Sequence, residues 1–295
     1  MKNRLILGVL MMFFIMQPGV AQDYAFRVMA TKGANQIKSG DTWQPIKGFM
    51  QIKLTDEVKV VENGYLGLMH AKGSSLEVRK AGIHKVADLS QQISGGSSLM
   101  AKYADFMLSN NPESKKNKLS ATGAVHRGFG ILVYLPESQY TDVYNDKVTV
   151  KWQASKAGGP YLVSVSNLYG DEITSFERQE TYAEFDLSSP ELAKEPNILI
   201  AITPKSDPTG ASNTYMMKRL GKAQREAIQK SLEELRSGFQ GDNALNHLVL
   251  ASFFEEQKLL IDAIGEFEQA IKMAPDVESY REVFDEFLLR LKGAN

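Results

Sequence analysis

The C-terminal third of the chain carries apolar residues at helical spacing. From Asn243 to Pro275, Ala251 and Phe254 lie one turn apart, and Ala263, Phe267 and Ala270 recur at i, i+4 and i+7, the stripe by which a helix buries one face. This predicts two antiparallel helices whose axes approach closely at alanine while each aromatic fills the adjoining groove. Upstream, Leu220, Ala223, Ala227, Ile228, Ser231, Leu232 and Leu235 mark one face of a preceding helix, which Gly238 is placed to end in a left-handed cap. Downstream, Tyr280, Val283, Phe284, Phe287, Leu288 and Leu291 predict a last amphipathic helix, with Asp276 a candidate N-cap.

Elsewhere the period changes to two. From Ala25 to about Leu89, runs such as FRVMAT, MQIKLTDEVKV, YLGLMHA and SLEVRKAGIHKV alternate between Gly, Asn and Ser punctuation, the signature of short strands. Gly33, Gly40, Gly48, Gly64 and Gly73 recur at their turns. From Gly130 to Lys205, ILVYLP, VTVKWQA, YLVSVSNLYG, EITSFERQETYAEFDL and NILIAITPK alternate again. Between the two β-regions, Ser97 or Ser98 can cap a helix through Met100, Tyr103, Ala104, Met107 and Leu108, followed by a polar loop with Lys115, Lys116 and Lys118. SDPTGASNT, after Lys205, has the composition of a linker.

The expected fold class is therefore α+β multidomain: two small antiparallel β-domains and a C-terminal α-helical repeat module. The boundaries are a signal peptide over 1–21, a β-domain over 22–92, a connecting helix and loop over 93–129, a β-sandwich over 130–205, a linker over 206–214 and repeat-like helices over 215–295.

Three resemblances accompany this reading. Leu250, Ala251, Phe254, Ala263, Phe267, Ala270 and Pro275 make the helical pair resemble one tetratricopeptide repeat, with His247 where that family has Trp and Gln257 where its turn often has Gly. Lys32 with Gly33, Trp43, Ile46 with Gly48, and Gly64 to Leu68 make the first β-region resemble the extracytoplasmic FecR-like β-domain. That likeness implies a β-scaffold and not the family's regulatory activity, which uses a cytoplasmic part and a membrane helix. Val148, Val150 and Trp152, then a GGP turn and Tyr161, Val163 and Val165, resemble two facing strands of an immunoglobulin-like or fibronectin type III sandwich.

Composition narrows the function classes. Lys2 and Arg4 precede an apolar run from Leu5 to Met16, and Gly19, Val20 and Ala21 offer a cleavage site, so an exported chain is expected, in the periplasm first, with secretion or the cell surface as the alternatives. Its membrane contact is then only the transient one of the signal peptide. The chain has no Cys, which excludes disulfides, thiolate metal sites and a cysteine nucleophile. Net charge is −1, but Asp23 to Gly128 holds 15 basic against 9 acidic residues, and Asp242 to Lys292 holds 5 against 11. Two solvated surfaces of opposite sign, or a basic face for an anionic polysaccharide, would both produce this. Nucleic acid is not an expected partner.

No catalytic pattern emerges. His70, His84, His126 and His247 are dispersed, no GxSxG elbow occurs, and Gly95 and Gly96 lack the lysine of a phosphate-binding loop. The expected function is that of a noncatalytic envelope scaffold or adaptor, without cofactor or metal, binding a protein or peptide through the helical module. Asn243, His247, Lys258 and Asp262 are the candidate exposed specificity residues. A carbohydrate- or peptidoglycan-binding module using Trp43 and Tyr65 is the alternative, with an envelope hydrolase behind it. Trp43 could equally be a strand-end core residue, and Trp152 reads as packed between sheets.

Overall fold

The computed structural model describes residues 24–109, 130–135, 140–156 and 158–293. The expected signal peptide, the Lys115, Lys116 and Lys118 cluster and His126 lie outside the described residues. The α+β architecture is as the periodicity implies: two small β-domains followed by helices. Among the described residues no helix is long and apolar enough to cross a membrane.

The first β-domain contains β1 (Phe26–Lys32), β2 (Gln36–Ser39), β3 (Thr42–Pro45), β4 (Gln51–Ile52), β5 (Glu57–Val60), β6 (Tyr65–His70), β7 (Ser74–Val78) and β8 (Gly82–Lys85). They form two four-stranded sheets, β4-β1-β6-β7 and β3-β2-β5-β8. Between the sheets lie Phe26, Val28, Ile37, Ile52, Val58, Leu66 and Leu68. β6 is buried at every position, because its other face also meets apolar side chains. Met29, Ala30, Tyr65 and Met69 leave the intersheet core and join the core of the helices. A strand covered on both faces has no polar side to display.

The sandwich holds β9 (Thr141–Val143), β10 (Lys147–Lys151), β11 (Tyr161–Ser166), β12 (Glu172–Arg178), β13 (Tyr182–Asp186), β14 (Asn197–Pro204) and β15 (Tyr215–Arg219). β10-β13 faces the five-stranded β12-β11-β14-β15-β9, in which only the β9 and β15 pair is parallel. Val148, Val150 and Trp152 from one sheet and Tyr161, Val163 and Val165 from the other are all buried in one core, with the Trp152 and Tyr161 rings edge to face at 5.6 Å.

The stretch 206–214, expected as a linker, is a turn within this domain. A 3₁₀ segment at Pro208–Gly210 returns the chain to β15, and Tyr215 and Met217 bury alternate side chains in the sandwich core. The sandwich thus runs to Arg219, and the helices begin at Lys222 rather than at residue 215.

Among the described residues six helices complete the fold: α1 (Val86–Gln91), α2 (Ser98–Ser109), α3 (Lys222–Arg236), α4 (Ala244–Glu256), α5 (Leu260–Met273) and α6 (Glu278–Gly293). Ser97 caps α2, accepting from the Met100 N–H at 3.2 Å. α3 ends without a left-handed residue, and Gly238 is glycine for a different reason. A Cβ there would lie 2.4 Å from the Gly73 carbonyl oxygen and 2.7 Å from Met100 Sδ, so it lets the chain pass tightly against the β-domain and α2. α6 begins at Glu278, and Asp276, the expected cap, instead pairs with Lys32 of β1.

α4 and α5 pack antiparallel as the stripe predicts, with Ala251, Ala263 and Ala270 fully buried and Phe254 and Phe267 beside them. Ten of the thirteen α4 residues are buried, far more than one partner helix can cover. The helical pair occupies the centre of the molecule, meeting the first β-domain and α2, α6, and the sandwich. At the β6 contact, the Tyr65 hydroxyl lies 2.6 Å from that of Tyr280 and donates to Glu77 Oε1 at 2.7 Å. Burial, with the charge of Glu77 nearby, holds the Tyr65 phenol protonated.

Candidate functional site

An open cleft of about 260 Å³ lies where α5 runs past β10, lined by Asn145, Lys147, Thr149, Asp242, His247, Asp262, Glu266 and Gln269 among others. It continues onto a shallower trough of about 440 Å³ over Lys147, Thr149, Glu184 and Asp186 of the β10-β13 ribbon. Asp262, Glu266 and Gln269 fall at i, i+4 and i+7 of α5, the polar stripe alongside the buried Ala263, Phe267 and Ala270.

The β10 edge supplies the opposite wall. Leu187 N–H donates to the Asp146 carbonyl at 2.6 Å and Trp152 N–H to the Thr181 carbonyl at 3.0 Å, so the even-numbered residues of β10 bond to β13. Alternation then turns the backbone groups of the odd-numbered residues to the other edge. At Lys151 that edge is occupied, its carbonyl accepting from Tyr134 N–H at 2.9 Å. Lys147 and Thr149 have no ladder partner on that side among the described residues, and both line the cleft.

Asp262 is 2% exposed and joins the helices to the sandwich. Its two oxygens accept from the Tyr144 N–H at 2.9 Å and the Asn145 N–H at 2.7 Å. Burial pushes its carboxyl up to about 7, against the pull of those two donors and with Glu266 adding to the rise. The same loop is held from α3, where Arg225 donates to the Tyr144 carbonyl at 2.7 Å and to Asp146 at 3.3 Å.

His247 sits between two carboxylates, Nδ1 at 2.6 Å from Glu266 and Nε2 at 3.0 Å from Asp242. Burial opposes its charge, but the hydrogen bonds and negative charges of Glu266 and Asp242 prevail and hold its pKa above the ordinary value. Ionised carboxylates only accept, so an imidazole facing one on each side serves best as a doubly donating imidazolium. In that state it has no lone pair for base catalysis and acts as a fixed charge. Among the described residues no group of three His, Asp or Glu side chains is arranged to hold a metal ion.

The structure gathers two of the four candidate specificity residues in this cleft, His247 and Asp262. Expected to be exposed, two of the four are buried and His247 is half-buried. Asp262 is buried in the bonds just described, and Asn243, 9% exposed, is the N-cap of α4, accepting from Asn246 N–H at 2.9 Å. Lys258 is exposed but lies in the α4–α5 turn, away from the cleft lining. Tyr65, the candidate glycan residue, is 1% exposed and bonded between β6 and α6. Trp43 is half-buried on β3, at the edge of its sheet, and does not adjoin Tyr65 as a stacking platform.

Glu266, Asp242, Lys147 and Thr149 escaped the sequence reading. The i, i+4 spacing of Asp262 and Glu266 and the outward positions of KVTVK were legible, but not that the two polar faces meet. No protein-family model matches the chain, and no curated protein is significantly similar to it.

Proposed function

We propose that this protein is a noncatalytic scaffold or adaptor of the cell envelope that grips an extended, cationic segment of a partner protein between β10 and α5. The observation that carries this reading is the unpaired β10 edge at Lys147 and Thr149, which faces the carboxylates of α5 across an open cleft. A strand added there would gain main-chain bonds to β10, while Glu266, Asp242 and, further along, Glu184 and Asp186 attract basic side chains. The surface of the helical pair that a free repeat would offer is packed against its own chain, so recognition falls to the polar stripe of α5. The strand orders β10-β13 and β12-β11-β14-β15-β9 support the immunoglobulin-like reading of the sandwich, and the N-terminal basic and apolar pattern supports export.

The test uses the full chain and two labelled peptides, one alternating Lys with Val and one alternating Glu with Val, followed by fluorescence anisotropy at low and high salt. Binding of the Lys peptide, weakened by salt and at least tenfold by Thr149→Pro, is expected, because proline at 149 removes a cleft-facing N–H while sparing the bonds to β13. Glu266→Gln should weaken it as well. Equal binding of both peptides, no binding of either, or affinity unchanged in Thr149→Pro would overturn the proposal.

A further inference from the structure

The charge of the cleft between β10 and α5 turns on one side chain. Its charged and titratable lining is Lys147 of β10, Asp242 of the loop before α4, His247 of α4, and Asp262 and Glu266 of α5. His247 bridges two of the others, with Glu266 at Nδ1 and Asp242 at Nε2. Its neighbours one turn away on α4, Asn243, Ala244, Leu250 and Ala251, are uncharged, and the charges that act on it are those of Glu266 and Asp242.

On the reading that this cleft captures a cationic segment, we propose that His247 regulates its grip by pH: as an imidazolium it masks Glu266 and Asp242 from the partner, and on losing its proton it releases them. An imidazolium has two N–H groups and satisfies both carboxylates, whereas a neutral imidazole has one N–H and one lone pair and can donate to only one of them. Glu266 keeps that bond, being the closer partner at 2.6 Å and the more enclosed, with its side chain 17% exposed. The lone pair at Nε2 then opposes Asp242, whose side chain is 77% exposed and can turn into the cleft. Loss of one proton thus unmasks Asp242 and leaves the charge of Glu266 uncancelled.

With His247 protonated and Asp262 neutral, Lys147 and His247 face Asp242 and Glu266, and the walls carry no net charge. With both deprotonated, Lys147 faces three carboxylates. Burial keeps the Asp262 carboxyl protonated up to about 7. At His247 burial opposes the proton, but the hydrogen bonds and charges of Glu266 and Asp242 retain it above its ordinary range. Both groups therefore carry the cleft from neutral to anionic in the same sense as pH rises. Binding and protonation are then reciprocal: a cation in the cleft weakens the hold of His247 on its proton by the factor by which the proton weakens capture of the cation.

The test is fluorescence anisotropy of the full chain with an N-acetylated peptide alternating Lys with Val, whose lysines stay charged throughout the range used. At low ionic strength its affinity should rise at least about fivefold from about pH 6 to about pH 8.5, and by less at high salt, which screens the unmasked charges. His247→Gln, uncharged at every pH and able to donate to Glu266, should bind the peptide at about pH 6 at least about threefold more tightly than the unaltered chain. Loss of fold at the higher pH would lower affinity and so cannot imitate the rise. By NMR, the His247 ring signals, identified by their absence in His247→Gln, should titrate at lower pH with the Lys peptide bound and not in the presence of one alternating Glu with Val. Absence of Lys-peptide binding at every pH would overturn the capture reading and this regulation with it. Binding indifferent to pH, a rise undiminished in His247→Gln, or a His247 titration that the bound peptide does not move would overturn the regulation alone.

Discussion

Asp262 shows how one side chain can make the junction between two domains sensitive to pH. Its folded-state pKa of about 7 stands above its ordinary value of 3.8, because burial disfavours the charge more than the two backbone donors favour it. The folded state therefore binds more protons than the unfolded chain between about pH 4 and about pH 7, and stability falls as pH rises through that window. The difference corresponds to on the order of 4 kcal/mol over the window. His247 acts in the same direction at higher pH. Its pKa is raised in the folded state, so its contribution is complete below 6.5 and lost as pH rises through the folded value. Charges facing the pair come from Asp242 on the loop before α4, Glu266 on α5 and Lys147 on β10. Urea denaturation across this range should show the midpoint declining with pH, and Asp262→Asn should flatten the decline below pH 7 while retaining the shape of the side chain. An undiminished slope in Asp262→Asn would assign the dependence to another group.

At the level of elements, the α4–α5 turn shows what was legible in the sequence and what was not. The alanine and aromatic spacing specified the antiparallel pair, because close packing leaves few other sites for those residues. The turn has the geometry of a Schellman motif: Leu259 N–H donates to the Phe254 carbonyl at 2.9 Å and Lys258 N–H to the Glu255 carbonyl at 3.1 Å. Its left-handed residue is Lys258, with φ of 63°, not Gln257, where the repeat pattern places glycine. A lysine in that conformation gives no sequence signal. Lys258→Gly should stabilise the chain by about 1 kcal/mol, since glycine carries no Cβ penalty there, and a guanidinium midpoint shifted down rather than up would contradict this account. The linker reading failed for a related reason. SDPTGASNT has turn composition whether it joins domains or strands, and the alternation that decides the matter, Tyr215 and Met217, begins just beyond it. The cleft was less legible still, because Thr149 and Glu266 are ordinary surface residues on their own elements and become a site only through the packing of α5 against β10.

Across the whole molecule, the helices are the shared interior of the first β-domain and of α2, and not an appended module. Met29, Ala30, Tyr65 and Met69 of the β-sheet lie in one apolar core with α2 and the four C-terminal helices α3 to α6, and Ser75 Oγ bonds Asn246 Oδ1 at 2.5 Å within it. A chain ending at Thr214 would expose this second sheet face and would also remove β15 from the sandwich, taking Tyr215 and Met217 from its core. A sheet built to be covered on both faces cannot present one of them to water without loss of stability or aggregation. The expected outcome is that the truncated chain loses the cooperative unfolding of the first β-domain, seen as collapsed amide dispersion for residues 24–92 and increased binding of a hydrophobic dye. Retention of native dispersion in that segment would mean the β-domain is self-sufficient and its helical contacts are only docking. The distinction bears on function: if the domains fold as one body, deletion of the helices cannot report on which surface recognises a partner, and single substitutions at Thr149 and Glu266 become the means of testing the cleft.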